Sequence, residues 1–252
     1  MNQRLVLKFG TGVLTTGASG LQLDAAQFQR FATEIAALVA AGHSVVVISS
    51  AAIAAGVAAL GRRERPTSLP AKQAYAAVGQ SQLMRAWQDS LATHGLTAAQ
   101  LLLTHDDIDS RQRRCNAENT LRELHTFPRV IPVINENDSV AVEELGFGDN
   151  DRLGAEMAAL CGADRFLILT GSDGLQGDGR RLPLITDLQD ARRHVTAEKG
   201  AHSTGGMGSK LDAVAFATAA GIETWILDGR RPGQLAAALA GEDAGTRFPT
   251  AT

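Results

Sequence analysis

Two lysines stand beside glycine-rich turns far apart in the chain. Lys8 lies just before Gly10-Thr11-Gly12, and Lys210 closes the run Thr204-Gly205-Gly206-Met207-Gly208-Ser209. Glycines let backbone N–H groups converge on an anion, and a lysine neutralises the charge that spreads over phosphate oxygens during transfer. Residue types and spacing therefore point to phosphoryl transfer. The arrangement is not a P-loop: GxxxxGK[ST] does not occur, and Leu211 follows the lysine. A dinucleotide turn is not indicated either, because Gly10-Thr11-Gly12 runs on into Val13-Leu14-Thr15 instead of completing GxGxxG.

Between the lysines lie two polar clusters. Asn135, Glu136, Asn137 and Asp138 come where an apolar run stops, and Gly148, Asp149, Asn150 and Asp151 come where the next periodic segment starts. A short excursion containing Val140 and Val142 joins them. In α/β proteins, strand C-termini and helix N-termini form the ligand crevice, so the two clusters could face one ligand from two sides. Asparagine offers donors and acceptors together, which suits a zwitterionic or hydroxylated small molecule. Plainer readings stand beside these. Lys8 could snorkel from a strand end, Ser50 and Asp151 could only cap helices, and the glycine run before Lys210 could be an ordinary loop.

The elements that must position these residues alternate. Strands are expected at Leu5–Phe9, Ser44–Ile48, a third that Leu101–Leu103 closes, Val130–Ile134, Phe166–Leu169 and Thr224–Leu227. Helical spacing runs over Asp24–Ala41, Ala51–Leu60, Lys72–His94, Asp109–Leu124, the segment marked by Leu153, Met157 and Leu160, and Leu211–Ala220. Such alternation predicts a mainly parallel sheet covered on both faces. The stretch Gln176 to Ser203, rich in Gly, Arg and Asp, reads as a flap over a site or as a poorly ordered excursion. No internal repeat or long linker interrupts the pattern, so residues 1–252 are expected to form one domain.

Composition narrows the classes. With 24 Lys+Arg against 27 Asp+Glu the formal net charge is -3, which argues against binding nucleic acid through bulk charge. Cys115 and Cys161 stand far apart without metal-ligand spacing, and the six histidines form no metal or triad constellation. The apolar run in MNQRLVLKFG is too short for a signal or membrane segment. A cytoplasmic protein with no membrane partner is expected.

Taken in order, the pieces Leu7-Lys8-Phe9-Gly10-Thr11, Ser50 with Ala52-Ile53-Ala54-Ala55-Gly56, Ala77-Val78-Gly79-Gln80, Asn116-Ala117, Val133 to Asp138, Gly148 to Asp151 and Thr204 to Lys210 resemble the amino acid kinase superfamily, and within it the branch that phosphorylates glutamate. The resemblance implies a three-layer αβα sandwich around a mainly parallel sheet. It also implies ATP-dependent phosphorylation of the γ-carboxylate of L-glutamate, giving an acyl phosphate used for proline synthesis. Carried over by position, Lys8, Asp151 and Lys210 would be catalytic, with Asp151 orienting the two lysines. Ser50, Asp138, Asn150 and Asn135 would hold glutamate. ATP would lie on Lys8, Gly10, Thr170, Gly171, Thr204, Gly205, Gly206, Met207, Gly208, Ser209 and Lys210, with Mg2+ bridging its phosphates and no metal site built from side chains. A homo-oligomer, dimer or tetramer, is a family expectation.

Three positions depart from the family pattern. Ala51 stands where glycine is usual, and its methyl could crowd the substrate or forbid a positive φ. Gly12 replaces the usual serine, and Gly171 the usual aspartate, which removes a carboxylate from the nucleotide side. Many members also carry a C-terminal PUA domain, an RNA-binding type of module, which this chain is expected to do without. Two other readings remain open here: a kinase of the same superfamily with another acceptor, and a catalytically silent sensor of nucleotide or amino acid.

Overall fold

The computed structural model describes residues 2–16, 20–141, 149–195 and 206–250. From the N-terminus these form β1 (Arg4–Phe9), α1 (Thr11–Leu14), β2 (Thr15–Thr16), β3 (Gln22–Leu23), α2 (Ala25–Ala40), β4 (Ser44–Ser49) and α3 (Ala52–Ala59). Next come α4 (Leu69–Ala92), β5 (Thr97–Leu103), α5 (His105–Asp109), α6 (Arg111–Leu124), β6 (Val130–Glu136), α7 (Asp149–Leu160) and β7 (Arg165–Thr170). The last are β8 (Gln176–Gly177), β9 (Arg180–Arg181), α8 (Leu188–Arg193), α9 (Met207–Ala219), β10 (Glu223–Asp228), α10 (Gln234–Ala240) and β11 (Thr246–Phe248).

Seven strands make one sheet in the order β11-β10-β7-β1-β4-β6-β5, parallel throughout except where β11 runs against β10. β1 is central and covered on both faces, which is why its sequence after Arg4 is apolar but for Lys8. Leu5, Leu7 and Phe9 pack beneath α2, α4 and α10, with Phe28, Phe31, Trp87 and Leu235. Val6 faces the opposite layer with Ile48, Phe166, Met157, Leu211 and Val214, beneath α7 and α9. Helices therefore lie on both sides of the sheet, as the alternation predicts. Trp87, wholly buried, donates its ring N–H to Ser49 Oγ at 2.8 Å, so no indole donor is lost in the core.

The order of strands locates the crevice. The chain adds β4, β5 and β6 on one side of β1, and α7 then carries it back across to β7 on the other. The carboxyl ends flanking this switch point are where ligands of open α/β sheets bind.

Several local expectations are corrected. The helix expected over Asp109–Leu124 divides at Ser110, whose backbone is extended (φ -74, ψ 113) and whose hydroxyl accepts the Arg113 N–H at 3.5 Å to start α6. The third strand does close at Leu103, as expected, and begins at Thr97. Within the Gln176–Ser203 stretch, of which residues 176–195 are described, β8 pairs with β9, and Thr246 Oγ1 donates to the Leu182 carbonyl at 2.6 Å while the Ile185 N–H reaches Arg247 O at 2.9 Å. These bonds sew the excursion to β11, an edge strand too short to show a period.

Candidate active site

Lys8 leaves β1 on the Val6 face, and α7 crosses directly above it. Its Nζ lies 2.7 Å from Asp151 Oδ1, and Lys210 Nζ, from the first turn of α9, lies 3.1 Å from Asp151 Oδ2. Two distant lysines thus share the two oxygens of one carboxylate. The three residues are 5 %, 6 % and 1 % exposed respectively for Lys8, Lys210 and Asp151. Close approach of α7 depends on Gly154: a Cβ there would lie 2.8 Å from Phe166 Cζ and 3.6 Å from Lys8 Cγ. The plain readings of Lys8 as a snorkelling lysine and of Asp151 as a mere cap are overturned, since both side chains are spent on ion pairing.

Electrostatics in this trio are lopsided. Burial opposes ionisation of Asp151, but the two ammonium groups and the hydrogen bonds they donate outweigh it and hold the carboxyl below its ordinary range. For Lys8, burial and the neighbouring Lys210 prevail over the attraction of Asp151 and lower its affinity for the proton. With all three ionised, the trio carries one positive charge in excess. Two ammonium groups against one carboxylate make this point attractive to an incoming polyanion.

Of the residues expected on the nucleotide side, Gly10 and Ser209 lie beside the trio. A Cβ on Gly10 would lie 3.9 Å from Lys8 Nζ, and the Gly10 N–H is tied to Leu169 O at 3.1 Å, which holds the turn against β7. Thr170 ends β7 and accepts the Gly229 N–H at 2.8 Å. Gly171 faces Arg230: a Cβ there would be 4.0 Å from Arg230 Nε, whose guanidinium donates to Gly12 O at 3.3 and 3.0 Å. Gly206 caps α9 without a side-chain bond, so among the described residues no cap side chain takes the leading N–H groups of Met207, Gly208 and Ser209, which suit an anion. The Ser209 hydroxyl donates to Gly206 O at 2.9 Å and lies 3.4 Å from Asp151 Oδ2. Thr204 and Gly205, like Val142 and Gly148, lie outside the described residues. Arg230 was missed by the sequence reading; an arginine pair after a strand-ending Asp-Gly was the only signal.

Three of the residues expected to hold the acceptor, Ser50, Asn135 and Asn150, belong to one continuous network. Asn150, beside Asp151 on α7, donates from Nδ2 to Ser50 Oγ at 3.2 Å, and its Oδ1 accepts the Glu136 N–H at 3.3 Å. Asn135 Oδ1 accepts the same N–H at 2.9 Å, and its Nδ2 donates to Gln80 Oε1 at 2.8 Å. Asn135 is 1 % exposed. Ser50 is not the cap of α3: that position is Ala51, with no side-chain bond, which leaves the hydroxyl to Asn150. Asp138 sits half-buried in the turn after β6. The two polar segments therefore meet where Asn135 and Asn150 share the Glu136 N–H, as expected of two element ends at one crevice. By contrast, Arg113 pairs with Asp107 at 2.9 Å on the surface.

Ala51 adopts φ 89, ψ 7, the left-handed region, so its methyl does not forbid a positive φ. The conformation costs an L-residue about 1–2 kcal/mol, and the surrounding α3–α4 packing enforces it. Ala51→Gly should raise stability by about 0.5–1 kcal/mol, the relieved strain less the entropy a glycine adds to the unfolded chain. Urea unfolding of the two proteins measures this, and a less stable glycine variant would show that the Ala51 methyl contributes more by packing than its backbone costs.

The amino acid kinase family matches residues 3–228. Glutamate 5-kinase of Thermus thermophilus is 45 % identical over 253 aligned positions, covering 98 % of this chain and 67 % of that protein. Glutamate 5-kinase of Citrobacter koseri is 44 % identical, covering 98 % and 69 %. Among solved structures, N-acetylglutamate synthase from Neisseria gonorrhoeae, complexed with coenzyme A and N-acetyl-glutamate, superposes with a TM-score of 0.70 at 15 % identity. That match covers 99 % of this chain and 60 % of the synthase chain, and it speaks to the fold alone.

Proposed function

The chain belongs to the amino acid kinase family, and on that premise we propose that it transfers the γ-phosphoryl group of ATP to the γ-carboxylate of L-glutamate, giving glutamyl 5-phosphate for proline biosynthesis. The observation that carries the reading is the pair of lysines sharing Asp151, at 2.7 and 3.1 Å. A γ-carboxylate oxygen attacks the γ-phosphorus, the bond from phosphorus to the β–γ bridging oxygen breaks, and ADP leaves. The nucleophile is already ionised at neutral pH, so no general base is required. Charge neutralisation and positioning supply the rate.

Lys8 and Lys210 bind the transferring phosphoryl oxygens, and Asp151 keeps both ammonium groups aimed at one point. The open N–H groups of Met207 to Ser209, with Gly10, Thr170, Gly171, Thr204 and Gly205, hold the rest of the triphosphate and nucleotide. Ser50, Asn150, Asp138 and Asn135 form the amino-acid side, with Asn135 acting through its neighbours because it is buried. The site presents two ammonium groups to one carboxylate, so a divalent cation fits only when carried on phosphates. Mg2+ on ATP would neutralise phosphate charge in that way. Residues 1–252 act as one kinase domain of a cytoplasmic homo-oligomer, dimer or tetramer, with a small-molecule substrate and neither nucleic acid nor membrane as partner. No described helix is long and apolar enough to cross a membrane.

Incubation with MgATP, L-glutamate and hydroxylamine should yield glutamyl hydroxamate, and L-aspartate or N-acetylglutamate in place of glutamate should not. Bound ATP with no hydroxamate from any acceptor would overturn the reading in favour of a silent sensor.

A further inference from the structure

One motif has no role in the scheme above: Ala77-Val78-Gly79-Gln80, in the middle of α4. Its glycine is explained by packing. A Cβ on Gly79 would lie 1.8 Å from the Ala52 carbonyl oxygen and 2.3 Å from the Gly56 nitrogen, and one on Gly56 would lie 1.8 Å from the Tyr75 carbonyl oxygen. The backbones of α3 and α4 are thus in direct contact, and Gln80, next to Gly79, has its Cα held at a set distance from the Ser50–Ala52 turn.

The direction of its amide follows from the neighbouring bonds. The Glu136 N–H can only donate, so the Asn135 atom facing it at 2.9 Å is Oδ1. Asn135 therefore presents Nδ2 to Gln80, and Gln80 must answer with Oε1, at 2.8 Å. Its Nε2 group is turned away, shut off from solvent, with no hydrogen-bond partner among the described residues. A buried donor left over is a burden on folding, so fold stability is a poor reason for an amide here. What the amide does provide is a fixed acceptor for Asn135. Asn135 in turn shares the Glu136 N–H with Asn150, and Asn150 holds Ser50.

We propose that Gln80 is a positioning residue for the acceptor amino acid: by holding Asn135 it keeps the end of β6, and with it the Asn150–Ser50 pair, in the geometry that grips glutamate. The inference rests on the kinase reading above and assigns to α4, which supplies no group to the phosphates, a selective influence on one of the two substrates.

Gln80→Met, close to glutamine in length, removes the acceptor; it exchanges the orphan donor of Gln80 for one on Asn135, so stability changes little. The KM for L-glutamate should rise about tenfold, the loss of a restraint worth roughly one buried hydrogen bond. The KM for MgATP should stay within about twofold and the melting temperature within about 3 °C, since a 1 kcal/mol change moves a domain of this size by only about 2–4 °C. Gln80→Ala, measured in the same way, serves if the methionine variant does not fold. A glutamate KM within twofold of the parent protein, or equal rises in both KM values, overturns the role of Gln80. Absence of glutamate turnover by the parent protein would instead overturn the kinase reading, and the inference with it.

Discussion

Asp151→Asn should destabilise the protein by about 3–5 kcal/mol at neutral pH, the usual consequence of removing one partner from a buried ionic group and leaving the other uncompensated. Here the effect is compounded, because Asp151 is the counter-ion of both Lys8 and Lys210. The variant retains two buried ammonium groups and an amide between them. Its pH dependence should invert accordingly. In the parent protein the carboxyl has a folded pKa below its unfolded one, so its contribution is fully present above the ordinary aspartate range and is lost as pH falls through the lowered value. In the variant that acid-side loss is gone. Lys8, already easier to deprotonate on folding because of burial and Lys210, loses the attraction that offset them, so stability should recover as pH rises toward the ordinary lysine range. Urea unfolding at several pH values measures both limbs. A variant within 1 kcal/mol of the parent at neutral pH would show that the carboxylate is not needed to balance the lysines.

Lys210→Ala should do nearly the opposite: kcat falls by about 10²–10³, the effect of losing one preorganised donor to transition-state charge, while stability stays within about 1 kcal/mol of the parent. Lys8 and Asp151 remain as a neutral pair at 2.7 Å, so the surplus positive charge disappears. The second ammonium group serves the triphosphate more than the unliganded fold, a trade between stability and activity common at functional sites. Turnover at saturating ATP and glutamate, with thermal unfolding measured in the absence of both, separates the two effects. Turnover within threefold of the parent would remove Lys210 from the chemistry. A large loss of stability would show that the lysine is structural.

Together the two variants test whether one carboxylate serves two cations. If the lysines acted independently, Asp151→Asn and Lys210→Ala would lower activity alike and stability alike. The shared-oxygen geometry instead predicts that they part on stability. The departures at Ala51 and Gly171 fall at the turn into α3 and beside Arg230 respectively. Neither touches the three charges.

The relation between sequence and site follows from the range over which each physical cause acts. Strand β1 was legible because a strand covered on both faces must be apolar, and Lys8 stood out as the exception. The strand-to-helix turns were legible because a glycine run or an amide cluster at an element end has few uses. Local causes failed where the structure depends on a neighbour. Helix α10 and strand β11 carry too few residues for a period, and Ser110 breaks a pattern that reads as one helix. The left-handed backbone of Ala51 is imposed by α3 packing on α4. The sequence by itself determined the alternation of elements, the layers and the residues placed at the crevice, because hydrophobic period and turn chemistry are written within a few residues of each position. Only the tertiary structure decided that residues 8, 151 and 210 share a single carboxylate and that Gln80 reaches Asn135. Those meetings depend on the crossover that carries the chain from β6 over β1 to β7 and on the glycine contact between α3 and α4, and no local pattern encodes either.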